Sequence, residues 1–305
     1  MNLSIITINR NNASGLEKTI QSVLYQSLSD FMYVIVDGAS TDGSVDVIRK
    51  YAGRFGTRLK WVSEPDKGIY NAMNKGIKAA ESEYVMILNS GDSIAGKDVL
   101  KNVDEALLRI NMGRTVPLDI LLGNIVTTGA VPNKRVKKDG DMDVSVPDIS
   151  MLTFYRGTVP HDAAIMRKRF LLRYGLYDED MKICSDWKLF MHAIALGEWK
   201  PLGDQTYHYI PPVPADNIRH IDLDMVVFDM TGISERNRHL WDSERRPELE
   251  RSLPVAILKD YDRHSKDILM MSRIHRYPIL FSFVHLMERF LFKLEKWGLV
   301  RPLDR

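Results

Sequence analysis

The first hundred residues switch repeatedly between two hydrophobic periods, and that alternation constrains the fold more than any other feature of the sequence. β-Prone apolar runs occur at 3–8 (LSIITI), 31–37 (FMYVIVD), 59–64 (LKWVSE) and 83–88 (EYVMIL). The segments 15–27, 40–52, 68–81 and 97–110 read instead as amphipathic helices; in the first, Leu16, Ile20, Val23 and Leu24 form one stripe. The second opens on Ser40 and Asp42, side chains suited to capping a helix. Strands alternating with helices in this way imply parallel pairing, right-handed crossovers and helices on both faces of a sheet. In such open sheets ligands gather at the carboxyl ends of the strands. All four strands end in polar residues: Thr7-Ile8-Asn9, Asp37, Glu64-Pro65-Asp66 and Asn89-Ser90-Gly91-Asp92. These ends are expected to open onto one crevice.

Composition narrows what the crevice holds. The 305 residues are 45% hydrophobic and 27% charged with a formal net charge of +2, too little basic excess for a nucleic-acid binder. A single cysteine, Cys184, excludes an intramolecular disulfide, fits a reducing compartment and reads as a small packed residue. The start, MNLSIITINRNN, lacks the basic and long apolar regions of a secretion leader, and no apolar stretch is long enough to span a bilayer. No G-x-G-x-x-G follows the first strand, and no G-x-x-x-x-G-K-[ST] occurs, so the common glycine cradles for phosphate are missing. A diphosphate in an acidic crevice without such a cradle needs a cation. Asp92, with Asn89, offers the hard oxygens that Mg²⁺ or Mn²⁺ prefers. Read locally, Asp92 could equally cap the next helix or close a turn.

Four motifs, SIITINRNN, VIVDGASTDGSVDVI, SEPDKGIYNAMNKGI and YVMILNSGD, in this order and at these distances, resemble the family 2 glycosyltransferases of GT-A fold. The resemblance covers residues 1–110 strongly and 111–215 more loosely. It implies a GT-A type α/β fold for nucleotide-diphospho-sugar transfer, a mostly parallel sheet flanked by helices. It also implies that Thr7, Asn9 and Asp37 contact the nucleotide, and that the metal on the diphosphate is held at Asp92. The usual leading aspartates of that metal motif are replaced here by Asn89 and Gly91. Asp37 also has a local explanation in a turn and cap sequence, DGASTDGS, and Asp42 reads as a cap or loop residue. Asp66 and Lys67 could reach the nucleotide or diphosphate, or form a solvated charge pair.

In the second half, AAIMRK (163–168) reads as a strand and RFLLRYGLYDED (169–180) as a short helix and turn. DWKLFMHAIAL (186–196) reads as a helix burying Trp187, Phe190, Met191 and Ile194. Asp186 stands at that helix's start, where a carboxylate is also a good cap and the dipole keeps it ionised. The resemblance implies a catalytic base at about this point, in a Glu-Asp type motif whose first position is Ser185 here. His161 could bind acceptor or phosphate or serve structurally, and His208 could complete a metal shell. A proline-rich hinge, PPVPADN (211–217), places a domain boundary near 215. Residues 1–215 are then the catalytic domain, with a nucleotide-sugar half (1–110) and an acceptor half (111–215), and 216–305 a helical extension. Its last helix, over 278–298, carries Ile279, Leu280, Phe283, Met287, Phe290, Leu291 and Leu294 on one face, broadened by Phe281, Phe292 and Trp297. Arg276, Arg289, Lys293 and Lys296 flank or interrupt it, which suits either protein packing or an anionic membrane surface.

The expected activity is a metal-dependent (Mn²⁺ or Mg²⁺) inverting transfer from a nucleotide-sugar, a UDP-sugar favoured, to a glycan or lipid-linked acceptor in surface polysaccharide synthesis. The expected place is the cytoplasm or the inner face of its membrane. The alternatives are a degenerate protein that binds nucleotide or assembles a complex without turnover, and a sugar-nucleotide pyrophosphorylase, whose arginine-containing glycine-rich loop is missing.

Overall fold

The computed structural model describes residues 2–128, 135–136, 149–203, 206–232, 236–275 and 277–296. Strands β1 (Leu3–Asn9), β2 (Met32–Asp37), β3 (Leu59–Ser63) and β4 (Tyr84–Ile87) pair in parallel in the order β3-β2-β1-β4. Helices α1 (Ala13–Leu24), α2 (Ser44–Phe55) and α3 (Ile69–Ala79) follow the first three strands, and α4 (Val99–Asn111) follows a short strand, β5 (Ser93–Ile94). Side chains alternate across each strand, so the two faces of β1 serve different helices. Leu3 and Ile5 join Leu16, Ile20 and Val23 of α1, Ile48 of α2 and Val103 of α4 in one buried cluster. Ile6 points the other way, against α3, where a Cβ on Gly76 would collide with its side chain. The chain runs outward from β1 to β3 and returns to β4 on the other side of β1. That reversal opens a crevice at the carboxyl ends of β1 and β4.

The sheet continues beyond β4. Strand β8 (Ala164–Arg167) lies antiparallel between β4 and β6 (Ile120–Thr128), with the two-residue β7 (Arg135–Val136) paired to β6. Strand β11 (Ile218–Asp229) then runs parallel to β6, and β5 closes that edge. Helices α5 (Met151–Arg156), α6 (Lys168–Tyr174) and α7 (Ser185–Phe190) accompany this half, with a separate hairpin of β9 (Glu198–Gly203) and β10 (Thr206–Ile210). Helix α8 is Trp241–Ser252.

Three sequence expectations change here. The break at residue 215 falls inside the structure: β11 pairs with β6 from Ile218 opposite Ile120 to Asp229 opposite Thr128, and one compact unit extends to Ser252. The run IDLDMVVFD opens with an apolar–acidic alternation, IDLD, whose charges resemble those of the helical sequence that follows, before the apolar MVVF. The helix expected over 186–196 is regular only to Phe190, and residues 191–196 widen into a π-helical turn. Helix α2 likewise starts at Ser44, with Gly43 in the left-handed region (φ 92°) as its N-cap residue. Asp42 nonetheless acts at that terminus, accepting from the Ser44 backbone N–H, and it also accepts from the Ala13 backbone N–H at the start of α1.

The second unit, Leu253–Arg305, contains α9 (Val255–His275) and α10 (Pro278–Lys296). Arg276 and Trp297 lie outside the described residues. None of α10's described side chains is buried, and Ile279, Phe283, Phe290 and Phe292 are all exposed. No helix among the described residues is long and apolar enough to cross a membrane.

Candidate active site

Asp37 closes β2 at full burial. Its Oδ1 accepts from Asn9 Nδ2 (2.8 Å) and Ser40 Oγ (2.6 Å), its Oδ2 from the Ser40 backbone N–H (2.9 Å) and Ser63 Oγ (2.6 Å). Burial is the largest single influence and pushes its pKa up, but the four hydrogen bonds together outweigh it and hold the carboxyl below its usual value. The ends of β1, β2 and β3 are thereby tied to one charge. Asn9 spends its amide donor on Asp37 and leaves Oδ1 buried without a partner, an acceptor awaiting a donor. Thr7 is fully buried, and its Oγ1 accepts from Tyr33 Oη (3.0 Å), which gives it a place in the core rather than on the crevice. Asp66 is nearly buried, accepts from the Gly68 N–H (3.0 Å) and pairs with exposed Arg10 at 3.7 Å. Lys67 is exposed, and its backbone N–H donates to Asn71.

The turn after β4 is clamped by α1. Thr19 Oγ1 donates to the Asp92 carbonyl (2.6 Å), Lys18 Nζ to the Gly91 carbonyl (2.7 Å) and Asn12 Nδ2 to the Ser90 carbonyl (3.1 Å). Gly91 adopts φ 108°, a conformation that L side chains rarely take. Asp92 is buried, and its Oδ1 accepts from the Asp229 backbone N–H at 2.8 Å. Burial, then the charge of Asp162, raises its pKa to about 8. Asn89 Nδ2 donates to Asp162 Oδ1 (3.1 Å), while Asn89 Oδ1 is buried and unpartnered.

Asp186 lies one residue inside α7, and the N-cap position belongs to Cys184. Its carboxylate turns instead to Tyr70 Oη (2.9 Å) and His161 Nδ1 (3.1 Å). The other face of the imidazole, Nε2, stands 3.3 Å from Asp162 Oδ1. Burial alone would lower the His161 pKa, but Asp162, Asp186 and Asp92 together raise it to about 9, so the ring is a cation at neutral pH. For Asp186, burial pushes upward and is outweighed by His161 and the Tyr70 hydrogen bond, so the carboxylate stays ionised below its ordinary value. The loop before α7 is fixed from α8: Glu244 accepts the consecutive backbone N–H groups of Lys182 (2.7 Å), Ile183 (3.0 Å) and Cys184 (3.0 Å). Arg245 lies 4.8 Å from the centres of both the Trp187 and Trp241 rings.

Asn9, Asp37, Asn89, Asp92 and Asp186 therefore meet along the crevice, with Asp66 at one margin. His208 lies apart, exposed on β10. Cys184 is buried, and burial pushes its thiol pKa up, consistent with a packed and unreactive residue. Sequence reasoning missed Asp162, Asp229 and Glu244. Asp162 had a signal, a His-Asp pair directly before a buried strand. Asp229 and Glu244 had none, because they belong to a stretch read as lying outside the catalytic domain. No three His, Cys, Asp or Glu side chains converge into a closed metal cage among the described residues. A cation carried on a diphosphate needs fewer protein ligands, since phosphates and water complete its shell. The unpartnered Asn89 Oδ1, on the same turn as Asp92, fits that lesser demand.

A mostly parallel sheet reversing at β1/β4, with acidic groups gathered at the reversal, is an arrangement this chain shares with GT-A type folds. A sequence profile of glycosyl transferase family 2 matches residues 4–110. An uncharacterized glycosyltransferase of Mycobacterium tuberculosis is 30% identical over 202 residues, covering 64% of this chain and 70% of that protein. A PGL/p-HBAD biosynthesis glycosyltransferase of Mycobacterium bovis is 29% identical over 184 residues, covering 60% and 66%. The solved structure of S. aureus TarS 1-349 in complex with UDP-GlcNAc aligns at TM-score 0.54 and 19% identity, covering 75% of this chain and 58% of that one, a likeness of fold. Against a longer TarS chain the match spans 37% of its length. The chain belongs to glycosyl transferase family 2.

Proposed function

We propose that the protein is a metal-dependent, inverting glycosyltransferase that moves a sugar from a nucleotide-diphosphate donor, a UDP-sugar for preference, to a hydroxyl of a glycan or lipid-linked acceptor in surface polysaccharide synthesis. One observation carries this reading: an ionised carboxylate, Asp186, is held by Tyr70 and His161 on the same crevice as the acceptor-rich nucleotide end. At that end Asp37 orders β1, β2 and β3, and Asn9 Oδ1 accepts from the nucleoside. Asp66 and Lys67 line the approach to it. Asp92 and Asn89 would hold Mn²⁺ or Mg²⁺, which would supply positive charge to offset that on the departing diphosphate. Asp186 accepts the proton of the attacking hydroxyl as its oxygen bonds the anomeric carbon and the bond to the diphosphate oxygen breaks. A single displacement inverts the configuration. His161, as a cation, keeps Asp186 ionised before the acceptor arrives and counters the negative charge of Asp162. The UDP-GlcNAc complex of TarS supports the choice of uridine.

The second unit supports a peripheral contact with the inner face of the cytoplasmic membrane. Helix α10 presents Ile279, Phe283, Phe290 and Phe292 to solvent beside exposed Arg289, Lys293 and Lys296.

The test is calorimetry of UDP-, GDP- and dTDP-sugars with and without Mn²⁺, on the wild type and on Asp92→Ala. Mn²⁺-dependent binding of a UDP-sugar that disappears in Asp92→Ala is the expected result. Metal-independent binding, or an unchanged variant, overturns the metal assignment. The glycine at 91, where the family motif has a carboxylate, favours one second reading, a nucleotide-binding protein without turnover. Hydrolysis of the donor with Mn²⁺ present separates the two.

A further inference from the structure

We infer that Asp229, the last residue of β11, supplies the second carboxylate of the cation site in place of the side chain that Gly91 lacks. A Cβ built on Gly91 would come within 3.1 Å of Asp229 Oδ2, so the Asp229 carboxylate occupies the space into which a side chain at 91 would grow. The same residue's backbone N–H binds Asp92 Oδ1 at 2.8 Å, which fixes the two acidic residues to each other across 137 positions of sequence. Asp229 Oδ1 is spent locally, accepting from the Thr231 N–H (2.9 Å) and Thr231 Oγ1 (2.8 Å). Those two bonds orient the carboxylate and direct Oδ2 toward the turn. The antiparallel pairing of β11 with β5, Val226 opposite Ile94 and Val227 opposite Ser93, sets the register that brings Asp229 to this place. The Asp92 carboxylate, the Asn89 side-chain Oδ1 and Asp229 Oδ2 are all hard oxygen donors, matching Mg²⁺ or Mn²⁺ bound together with a diphosphate.

The inference rests on the donor-binding reading above, and the experiment keeps the two separable. Mn²⁺ affinity is measured by electron paramagnetic resonance in the presence of UDP, alongside calorimetry of UDP with and without Mn²⁺, for the wild type, Asp229→Asn and Asp229→Ser. Both variants keep an oxygen that can accept from the Thr231 N–H, and a metal-free melt reports folding. The expected result is a loss of Mn²⁺ affinity of about 10- to 100-fold in each variant, with metal-free UDP affinity unchanged. Wild-type Mn²⁺ affinity in either folded variant overturns the role of Asp229 alone. Absence of Mn²⁺-dependent UDP binding in the wild type overturns the reading on which it rests.

Discussion

Asp186→Asn separates chemistry from binding and fold in a single substitution. The amide keeps the size of the side chain and can still accept from Tyr70 Oη, now 2.9 Å from the carboxylate. It removes the only property a base requires, so transfer should slow by about 10²- to 10⁴-fold. Donor affinity should persist, because Asn9, Asp37 and Asp92 are untouched. His161 provides an independent readout. Its pKa rises from 6.5 to about 9 although burial, the largest single influence, opposes the rise. At about 1.4 kcal/mol per pH unit, the neighbouring carboxylates favour the imidazolium by a net of roughly 3 kcal/mol. Deleting one negative charge must lower that value, so the imidazole should titrate below its wild-type midpoint in an NMR pH series. Calorimetry with donor, steady-state transfer rates and the His161 titration together make the assay. Near wild-type transfer would place the base elsewhere, and an unchanged His161 midpoint would refute the ion pair from which the ionisation of Asp186 is argued.

Metal-free protein should lose stability as pH rises. His161 has a folded pKa above its unfolded value, so its contribution is complete below pH 6.5 and is lost as pH passes about 9. Asp92, raised from 3.8 to about 8, acts in the same direction over its own window, and a urea midpoint that climbs between pH 6.5 and 9 would contradict both. Asp37→Asn turns an amide N–H₂ toward at least one of four hydrogen-bond donors, at a cost of about 1–3 kcal/mol, which a metal- and ligand-free melt should register. Glu244→Gln weakens the three-amide anchor before α7, so turnover should fall while donor affinity holds; equal losses in both would return Glu244 to general stability. Replacing the exposed Phe283, Phe290 and Phe292 by serine should release the chain from anionic liposomes without changing donor affinity, and persistent co-sedimentation would remove α10 from that role.

The alternation of periods over residues 3–110 was enough to establish the parallel α/β half. The polar residues closing its strands were enough to locate the crevice, because in a parallel sheet every strand of one sequence type delivers its carboxyl end to the same edge. Asn9, Asp37, Asn89 and Asp92 were placed at that edge for that reason, and the roles proposed for them start from that placement. The depth of Thr7 was not legible, because period two alone does not say how deep a strand residue lies, and Tyr33 donates to its hydroxyl. Asp186 was legible as a residue, but its partners were not: Tyr70 is 116 positions away and His161 25, and no local pattern links them. Only the tertiary structure brought Asp229 against Gly91 and Glu244 beneath the α7 loop. Both depend on β11 and α8 returning to the catalytic unit after a proline-rich, charged stretch that locally resembles a boundary. Hydrophobic period records which face of an element is buried. Which distant carboxylate comes to share a cation or a proton is decided by strand order and register, and those depend on the packing of the whole sheet.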